Sequence, residues 1–364
     1  MPVKGVMLEL TNLCNAHCPY CYNRKGLEKS WNLNELKKIS RKLIDKNFRL
    51  FSLSGGEPFL YPHLVEYLKW LHKLDVKIIF ASNGLVTIDN FIDVLKETGS
   101  SVQFTLDSVD KDTYIMSRGV DGLSRVLKTI DKCKEADLDF TVAITINSYT
   151  IKTLDKTLKF CADNEIDTVH VSEVKGVGKA KDNYSDLELH PLCDLYELLY
   201  KYQKKYSPHV NIDFVNDILV GYLGLRDIKR KYYCNALCGN LIQIDPFGNV
   251  YMCENIPDKL LLGNLLNDSI EYILTQHENK MSCYLNNSTK CDTCENFHIC
   301  RGGCRAYTYA KTGSFFAVHP RCNEMLNLIE HIRSDEEKGV ITNLLFMTEL
   351  NYLAGNMNGF SKWV

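Results

Sequence analysis

The chain has 364 residues, 45% of them hydrophobic and 24% charged, a composition that fits a globular protein of about two domains and excludes a disordered one. Its 43 Lys+Arg against 45 Asp+Glu leave a net charge of −2, so no chain-wide basic footprint for nucleic acid exists. No apolar run approaches the roughly 18 residues of a membrane helix. Met1-Pro2-Val3-Lys4-Gly5 does not open a secretory signal, so a cytoplasmic protein without a membrane partner is expected.

In chain order, short apolar runs alternate with amphipathic stretches of helix length. Strands are predicted at Val6–Leu10, Leu50–Leu53, Lys77–Phe80, Val102–Leu106, Phe140–Ile146 and Thr168–Val171. Helices are predicted between them at Asn34–Lys46, Pro62–Lys73, Ile88–Glu97, Gly122–Glu135 and Thr150–Asn164, with another at Pro191–Lys205. Such alternation reads as βα units around a parallel sheet, and six units are too few to close an eight-stranded barrel. The expected fold is α/β, a partial (β/α)6 TIM-like barrel over residues 1–225. Chemistry in such folds sits on the loops that follow the strands. Four of those loops carry distinctive residues: Cys14, Gly55-Gly56-Glu57, Ser82-Asn83-Gly84 and Asp107-Ser108.

Past about Leu225 helical periodicity fades, and Cys, Gly and Asn punctuate the chain. One hairpin is predicted, Leu241–Ile244 and Val250–Cys253 around Asp245-Pro246-Phe247-Gly248. A small domain over 226–330, held by metal more than by an apolar core, fits that pattern. Beyond Cys322 the pattern is helical to about Leu353, which makes 331–364 a helical tail.

The compositional outlier is the 15 cysteines. Without a secretory signal, clustered cysteines point to metal ligation or catalysis more than to bridges. Cys14, Cys18 and Cys21 form a C-x3-C-x2-C loop, a spacing expected by chance only ~0.02 times at this cysteine content. Three thiolates can hold three corners of a four-iron cluster and leave one iron open; a zinc ion completed by His17 also fits the spacing. Further on, Cys291, Cys294, Cys300 and Cys304 stand between Cys234, Cys238 and Cys253 on one side and Cys322 on the other. Eight thiolates suffice for two fully ligated four-iron clusters or for two structural zinc sites, and spacing alone does not choose. Cys133, Cys161, Cys193 and Cys283 are scattered, as buried structural cysteines usually are.

The three-cysteine loop, the Gly55-Gly56-Glu57-Pro58 turn and the βα alternation resemble the radical S-adenosylmethionine (SAM) superfamily. The spacing C-x9-G-x4-C, then C-x2-C-x5-C-x3-C, then Cys resembles that superfamily's SPASM extension. Together the resemblance spans nearly the whole chain and favours iron over zinc. It implies that Cys14, Cys18 and Cys21 hold a SAM-cleaving 4Fe-4S cluster whose open iron takes SAM's amino and carboxylate groups. Tyr20 would shield that cluster beside the adenine. Gly55, Gly56 and Glu57 would bind the methionine amino group, glycine keeping a Cβ out of the ligand's way. Ser82 and Asn83 would lie near the ribose and Arg118 by SAM's carboxylate. Asp107, Ser108 and Asn147 would stand at strand ends, and Val177, within Val174–Ala180, along the adenine. Read from the residues alone, Ser82-Asn83-Gly84 is equally an ordinary turn, Asp107 a turn cap and Arg118 a surface charge. In the C-terminal part, Cys234, Cys238, Cys253 and Cys304 would ligate one auxiliary 4Fe-4S cluster, and Cys291, Cys294, Cys300 and Cys322 a second.

The implied activity is reductive cleavage of SAM to methionine and a 5′-deoxyadenosyl radical that takes a hydrogen atom from a C–H bond. SAM and three 4Fe-4S clusters are the implied cofactors, and a flavodoxin- or ferredoxin-type protein the implied electron donor. Because SPASM enzymes commonly act on ribosomally made peptides, the leading expectation is a maturase that forms a carbon–carbon, thioether or ether crosslink in a precursor peptide. One alternative is a formylglycine maturase of the sulfatase type, with Glu254 as base where those enzymes place Asp. Others are a peptide epimerase, in which Cys283 or Cys193 returns a hydrogen atom, and a small-molecule dehydrogenase. With 13 residues before Cys14, a separate leader-binding protein, a contribution from the tail, or a small substrate is expected. An electron-transfer protein or a zinc interaction module would cleave no SAM and leaves the Gly55-Gly56-Glu57 loop unexplained.

Overall fold

The computed structural model describes residues 4–22, 28–183, 191–214, 218, 222, 236, 239–253, 255, 260–285 and 290–337. Cys234, Cys238, Glu254 and the tail beyond 337 lie outside the described residues, as does the side chain of Cys283. The chain alternates β1 (Lys4–Thr11), α1 (Leu33–Asp45), β2 (Phe48–Gly55), α2 (Leu64–His72), β3 (Lys77–Ser82), α3 (Ile92–Thr98) and β4 (Ser101–Thr105). It continues through α4 (Lys111–Arg118), α5 (Leu123–Glu135), β5 (Phe140–Ile146), α6 (Leu154–Asp163), β6 (Thr168–Glu173), α7 (Leu192–Tyr206) and β7 (Asn211–Phe214). Then come β8 (Leu241–Ile244), β9 (Asn249–Tyr251), β10 (Leu261–Asn264), α8 (Ile270–Leu285), α9 (Phe297–Cys300), α10 (Arg305–Thr312) and α11 (Cys322–Glu337).

The strands form one ten-stranded sheet in the order β10-β9-β8-β1-β2-β3-β4-β5-β6-β7. From β1 to β7 neighbours run parallel in sequence order, the pattern of a partial barrel. Six of the described elements, β7, α4, β10, α8, α9 and α10, were not legible in the sequence. Strand β7 adds to β6, with Val169 opposite Ile212. Helix α4 is short, capped by Asp110, whose side chain accepts from Thr113 N at 3.2 Å. Helix α8 runs through a stretch where the helical repeat is weak; Ile270 and Ile273 bury one face. On the other edge of the sheet, β8 pairs parallel with β1, Leu8 opposite Ile244, so the cysteine-rich half continues the same sheet.

Strands of a parallel sheet covered on both faces usually read as continuous apolar runs. Here they alternate. Val6, Leu8, Leu10, Phe51, Leu53, Val142, Ile144, Val169 and Val171 share an apolar core with Leu36, Leu43, Tyr67 and Leu158 of the helices. Most positions between them are polar, among them Glu9, Ser52, Ser54, Thr141 and His170, with Met7 and Ala143 as exceptions, and they face away from the helix layer. The inner face of the partial barrel is therefore largely polar.

Candidate functional site

At the C-terminal end of β1 the chain turns into the loop that carries the first three cysteines, and three separate segments hold it. Gly56 N donates to Thr11 O at 2.7 Å and Glu57 N to Leu13 O at 2.8 Å. His17 N donates to Arg118 O at 3.0 Å, and Lys179 N to Cys21 O at 3.0 Å. Contact is close enough to require glycine. A Cβ on Gly56 would stand 2.1 Å from Leu13 O, and one on Gly119 would stand 2.4 Å from His17 O. The obstacle that a side chain at Gly55-Gly56 would meet is thus the cysteine loop itself. Gly178, one of the two glycines of the Val174–Ala180 segment, presses on Tyr22 in the same way; Gly119 was not singled out from sequence.

Cys14, Cys18 and Cys21 stand close enough to feel one another's charge. Burial raises the Cys14 thiol, and it pushes Cys18 up to about 11. Asn83 Nδ2 reaches Cys14 Sγ at 3.7 Å and Asn15 Oδ1 at 2.8 Å. Glu57 is completely buried. Its Oε1 accepts from Ser82 Oγ at 2.9 Å and Phe59 N at 3.2 Å, and its Oε2 from Asn83 N at 2.8 Å. Burial nevertheless raises its pKa to about 7, against the pull of those bonds and of Arg118. The carboxyl of Glu57 therefore latches the end of β2 to the end of β3.

A second buried network backs the loop. Tyr20 Oη donates to Asp107 Oδ2, Ser117 Oγ donates to the same oxygen at 2.7 Å, and Thr145 N to Asp107 Oδ1 at 2.9 Å. Arg118 donates through Nη1 to Tyr20 Oη at 2.5 Å and lies 3.6 Å from Asp107. Burial opposes the guanidinium's charge, but Cys18, Tyr20 and Asp107 outweigh it and hold its pKa well above the ordinary value. Arg118 is 6% exposed and its Nε is buried without a hydrogen-bond partner among the described residues, so it is neither a surface charge nor fully used by the described fold. Asp107 is not the cap of α4; Asp110 is. Val174 and Ala180 pack together with Tyr20 and Tyr149, placing Val177's segment beside the aromatic ring of the cysteine loop.

Two predicted residues turn elsewhere. Ser108 Oγ bonds Thr153 Oγ1 at 2.8 Å and accepts from Asp110 N at 3.0 Å. Asn147 Oδ1 accepts from Tyr149 N at 2.9 Å and Thr150 N at 3.0 Å, though its Nδ2 lies 3.4 Å from Ser117 Oγ. Both chiefly shape turns at strand ends.

In the C-terminal half the structure gathers Cys291, Cys294, Cys300 and Cys322 into one group. Burial raises Cys300 and Cys322, and the neighbouring thiols of the group raise them further. No three His, Cys, Asp or Glu groups among the described residues converge as a single ion would require. A cubane that brings its own sulfides spans more than one ion, and four thiols spaced as neighbours suit it. Cys253 accepts from Asn255 Nδ2 at 3.7 Å, and Cys304 caps α10, accepting from Tyr307 N at 3.5 Å. Arg321, beside Cys322, reaches Glu173 Oε1 at 3.1 Å at the end of β6 and ties this group to the barrel. Among the described residues no helix is long and apolar enough to cross a membrane.

A family model described as the Radical SAM superfamily matches residues 8–161. The antilisterial bacteriocin subtilosin biosynthesis protein AlbA of Bacillus subtilis (strain 168) is 26% identical over 280 residues, which cover 75% of this chain and 59% of AlbA. A probable GTP 3′,8-cyclase of Sulfurisphaera tokodaii is 24% identical over 298 residues, 76% of this chain and 91% of that protein. The PqqA peptide cyclase of Bradyrhizobium diazoefficiens is 26% identical over 334 residues, 87% of this chain and 85% of the cyclase. Among solved structures, Streptococcus suis SuiB bound to S-adenosylmethionine superposes with a TM-score of 0.73 at 19% identity, over 88% of this chain and 77% of SuiB. Native anSMEcpe with bound AdoMet gives 0.74 at 18% identity, over 92% of this chain and 99% of that one. At these identities the two structures show a shared fold.

Proposed function

Proceeding from the fact that this chain is a radical SAM superfamily enzyme, we propose that it modifies a ribosomally made peptide by SAM-derived radical chemistry and leaves an oxidative crosslink. The observation that carries the reading is the three-thiol loop of Cys14, Cys18 and Cys21, clasped by the Gly55-Gly56-Glu57 turn and backed by buried Arg118. Three thiols in each other's field with a charged, incompletely used guanidinium beside them fit a 4Fe-4S cluster with one open iron. When bound there, such a cluster supplies the electron that splits SAM into methionine and a deoxyadenosyl radical.

The protein's own residues hold and orient. Arg118, with its free Nε, suits SAM's carboxylate, and the Glu57 carboxyl with Ser82 and Asn83 suits the amino and ribose groups. Tyr20, Val174 and Ala180 offer an apolar wall for a base. Cys291, Cys294, Cys300 and Cys322 suit an auxiliary cluster, and Cys253 and Cys304 with Cys234 and Cys238 a further one. The division at about residues 225 and 330 follows these roles. One relative is named for bacteriocin subtilosin biosynthesis and another as a PqqA peptide cyclase, and a neighbouring structure holds SuiB bound to precursor peptide SuiA. A reducing cytoplasm, a flavodoxin- or ferredoxin-type electron donor and a separate leader-binding protein complete the proposal.

The GTP cyclase relative favours a second reading, a small-molecule substrate. One experiment weighs both. Anaerobically reconstituted protein is assayed for iron and sulfide, then given dithionite, SAM and either candidate peptides or small molecules. About twelve irons per chain with deoxyadenosine formed and a peptide altered in mass supports the proposal. Turnover on small molecules alone moves the assignment to the second reading. No iron and no deoxyadenosine refutes both.

A further inference from the structure

The inner face of the sheet holds a pair of groups that the proposed reaction does not use. His170 on β6 and Asp213 on β7 are register partners. His170 Nδ1 lies 2.8 Å from Asp213 Oδ2, with the side chains 7% and 12% exposed. Their neighbours Val169, Val171, Ile212 and Phe214 belong to the apolar core under the helices, so the pair points the other way. An ionised carboxylate only accepts, so in the neutral imidazole Nδ1 carries the proton and Nε2 keeps a lone pair. That Nε2 is buried and has no hydrogen-bond partner among the described residues.

It is not alone on that face. Thr141 Oγ1 on β5 and Asn211 Oδ1 on β7 are also buried without partners among the described residues. Both stand one same-face step from the pair, since Ala143 is opposite His170 and Thr168 opposite Asn211. One such step is ~7 Å along a strand and neighbouring strands lie ~5 Å apart, so each stands about 9 Å from His170 along the backbone grid, on either side of Thr168. A buried acceptor left unsatisfied weakens the fold, and three together call for an explanation outside folding. The imidazole nitrogen and the amide oxygen can only accept, and the hydroxyl can do either. What completes them is a donor.

We propose that the inner face of β5–β7 is a recognition pocket for an N–H or O–H group of the substrate, received by His170 Nε2 in the tautomer that Asp213 fixes. Asp213 is a positioning residue, and Thr141 and Asn211 flank the guest. The inference rests on the proposed peptide reading and narrows it: the side chain or amide taken into the barrel is a hydrogen-bond donor, not an apolar or acceptor-only group.

The test needs no identified substrate. Anaerobically prepared protein labelled with 15N-histidine is examined by NMR, with His170→Gln used to assign the signal. The probes are methylammonium and acetamide as donors and acetate as an acceptor-only control. The expected result is a His170 protonated at Nδ1 and bare at Nε2, whose Nε2 signal shifts saturably with a donor probe and not with acetate. Asp213→Asn should mix the tautomers and weaken the donor response at least fivefold. A His170 protonated at Nε2, a response to acetate equal to that of the donors, or no response to any probe overturns the proposal. Peptide-dependent SAM cleavage beside a silent His170 refutes the pocket and leaves the activity standing. A responsive His170 in a protein that cleaves no SAM does the reverse.

Discussion

Replacing Gly119 by alanine should unseat the cysteine loop while leaving the barrel folded, and Gly99 supplies the matched control. Both glycines end a helix in the left-handed region, at φ +66 for Gly119 and φ +59 for Gly99. Alanine in that conformation costs about 1 kcal/mol at either site. They differ in what an added methyl meets. Nothing among the described residues lies within 4 Å at Gly99, whereas at Gly119 the methyl would stand 2.4 Å from His17 O and 2.7 Å from His17 C. That contact must open from 2.4 Å to at least 3.0 Å, so His17 moves by 0.6 Å or more relative to α4. Because His17 lies between Cys14 and Cys18, the thiols move with it. Overpacking of this kind adds about 1–3 kcal/mol. Gly99→Ala should therefore lose about 1 kcal/mol and load iron normally, and Gly119→Ala should lose about 2–4 kcal/mol and load less. Thermal unfolding and iron per chain after anaerobic reconstitution, with the electron paramagnetic resonance signal of the reduced three-cysteine cluster, read both effects. If Gly119→Ala matches Gly99→Ala in melting temperature and iron, glycine is not required there for the loop, and the reasoning fails.

Glu57 offers a pH test. Its folded pKa of about 7 lies above the ordinary 4.5, so the stability it confers when protonated is fully present below about pH 4.5 and is lost as pH rises through about 7. Urea unfolding should show the parent losing about 2–3 kcal/mol more than Glu57→Gln between pH 5 and pH 8; parallel losses would count against it. Asp107→Asn leaves the Arg118 charge buried without its carboxylate and should cost about 3–5 kcal/mol, against about 1.5–3 kcal/mol for Tyr20→Phe. Equal melting temperatures for the two variants would show that the ion pair is not the centre of the network. Burial pushes the Cys133 and Cys161 thiols up to about 12. They should resist iodoacetamide in the native protein and modify only on unfolding; rapid native labelling of either would contradict their burial.

The order of the first six strands, the hairpin around Asp245-Pro246-Phe247-Gly248 and the cysteine spacing were all legible in the sequence. Each depends on neighbours a few residues apart, through periodicity, turn residues and fixed intervals. The strand alternation Thr141-Val142-Ala143-Ile144-Thr145 carried a further signal, unusual for a parallel sheet, that one face is polar. The same alternation on β6 would have singled out His170. Tertiary structure decided the rest. That β8 returns to β1 places Gln243 beside Glu9, 234 residues away, where its amide donates to that carboxylate. Only the fold shows that Gly119 and Gly178 need their missing side chains because the cysteine loop lies against them, or that Arg118 is buried between Tyr20 and Cys18. Spacing along the chain reports which groups share a helix face or a loop. Which loops meet, and which buried charges and lone pairs face each other, depends on how the strands stack around the barrel, and no local pattern encodes that.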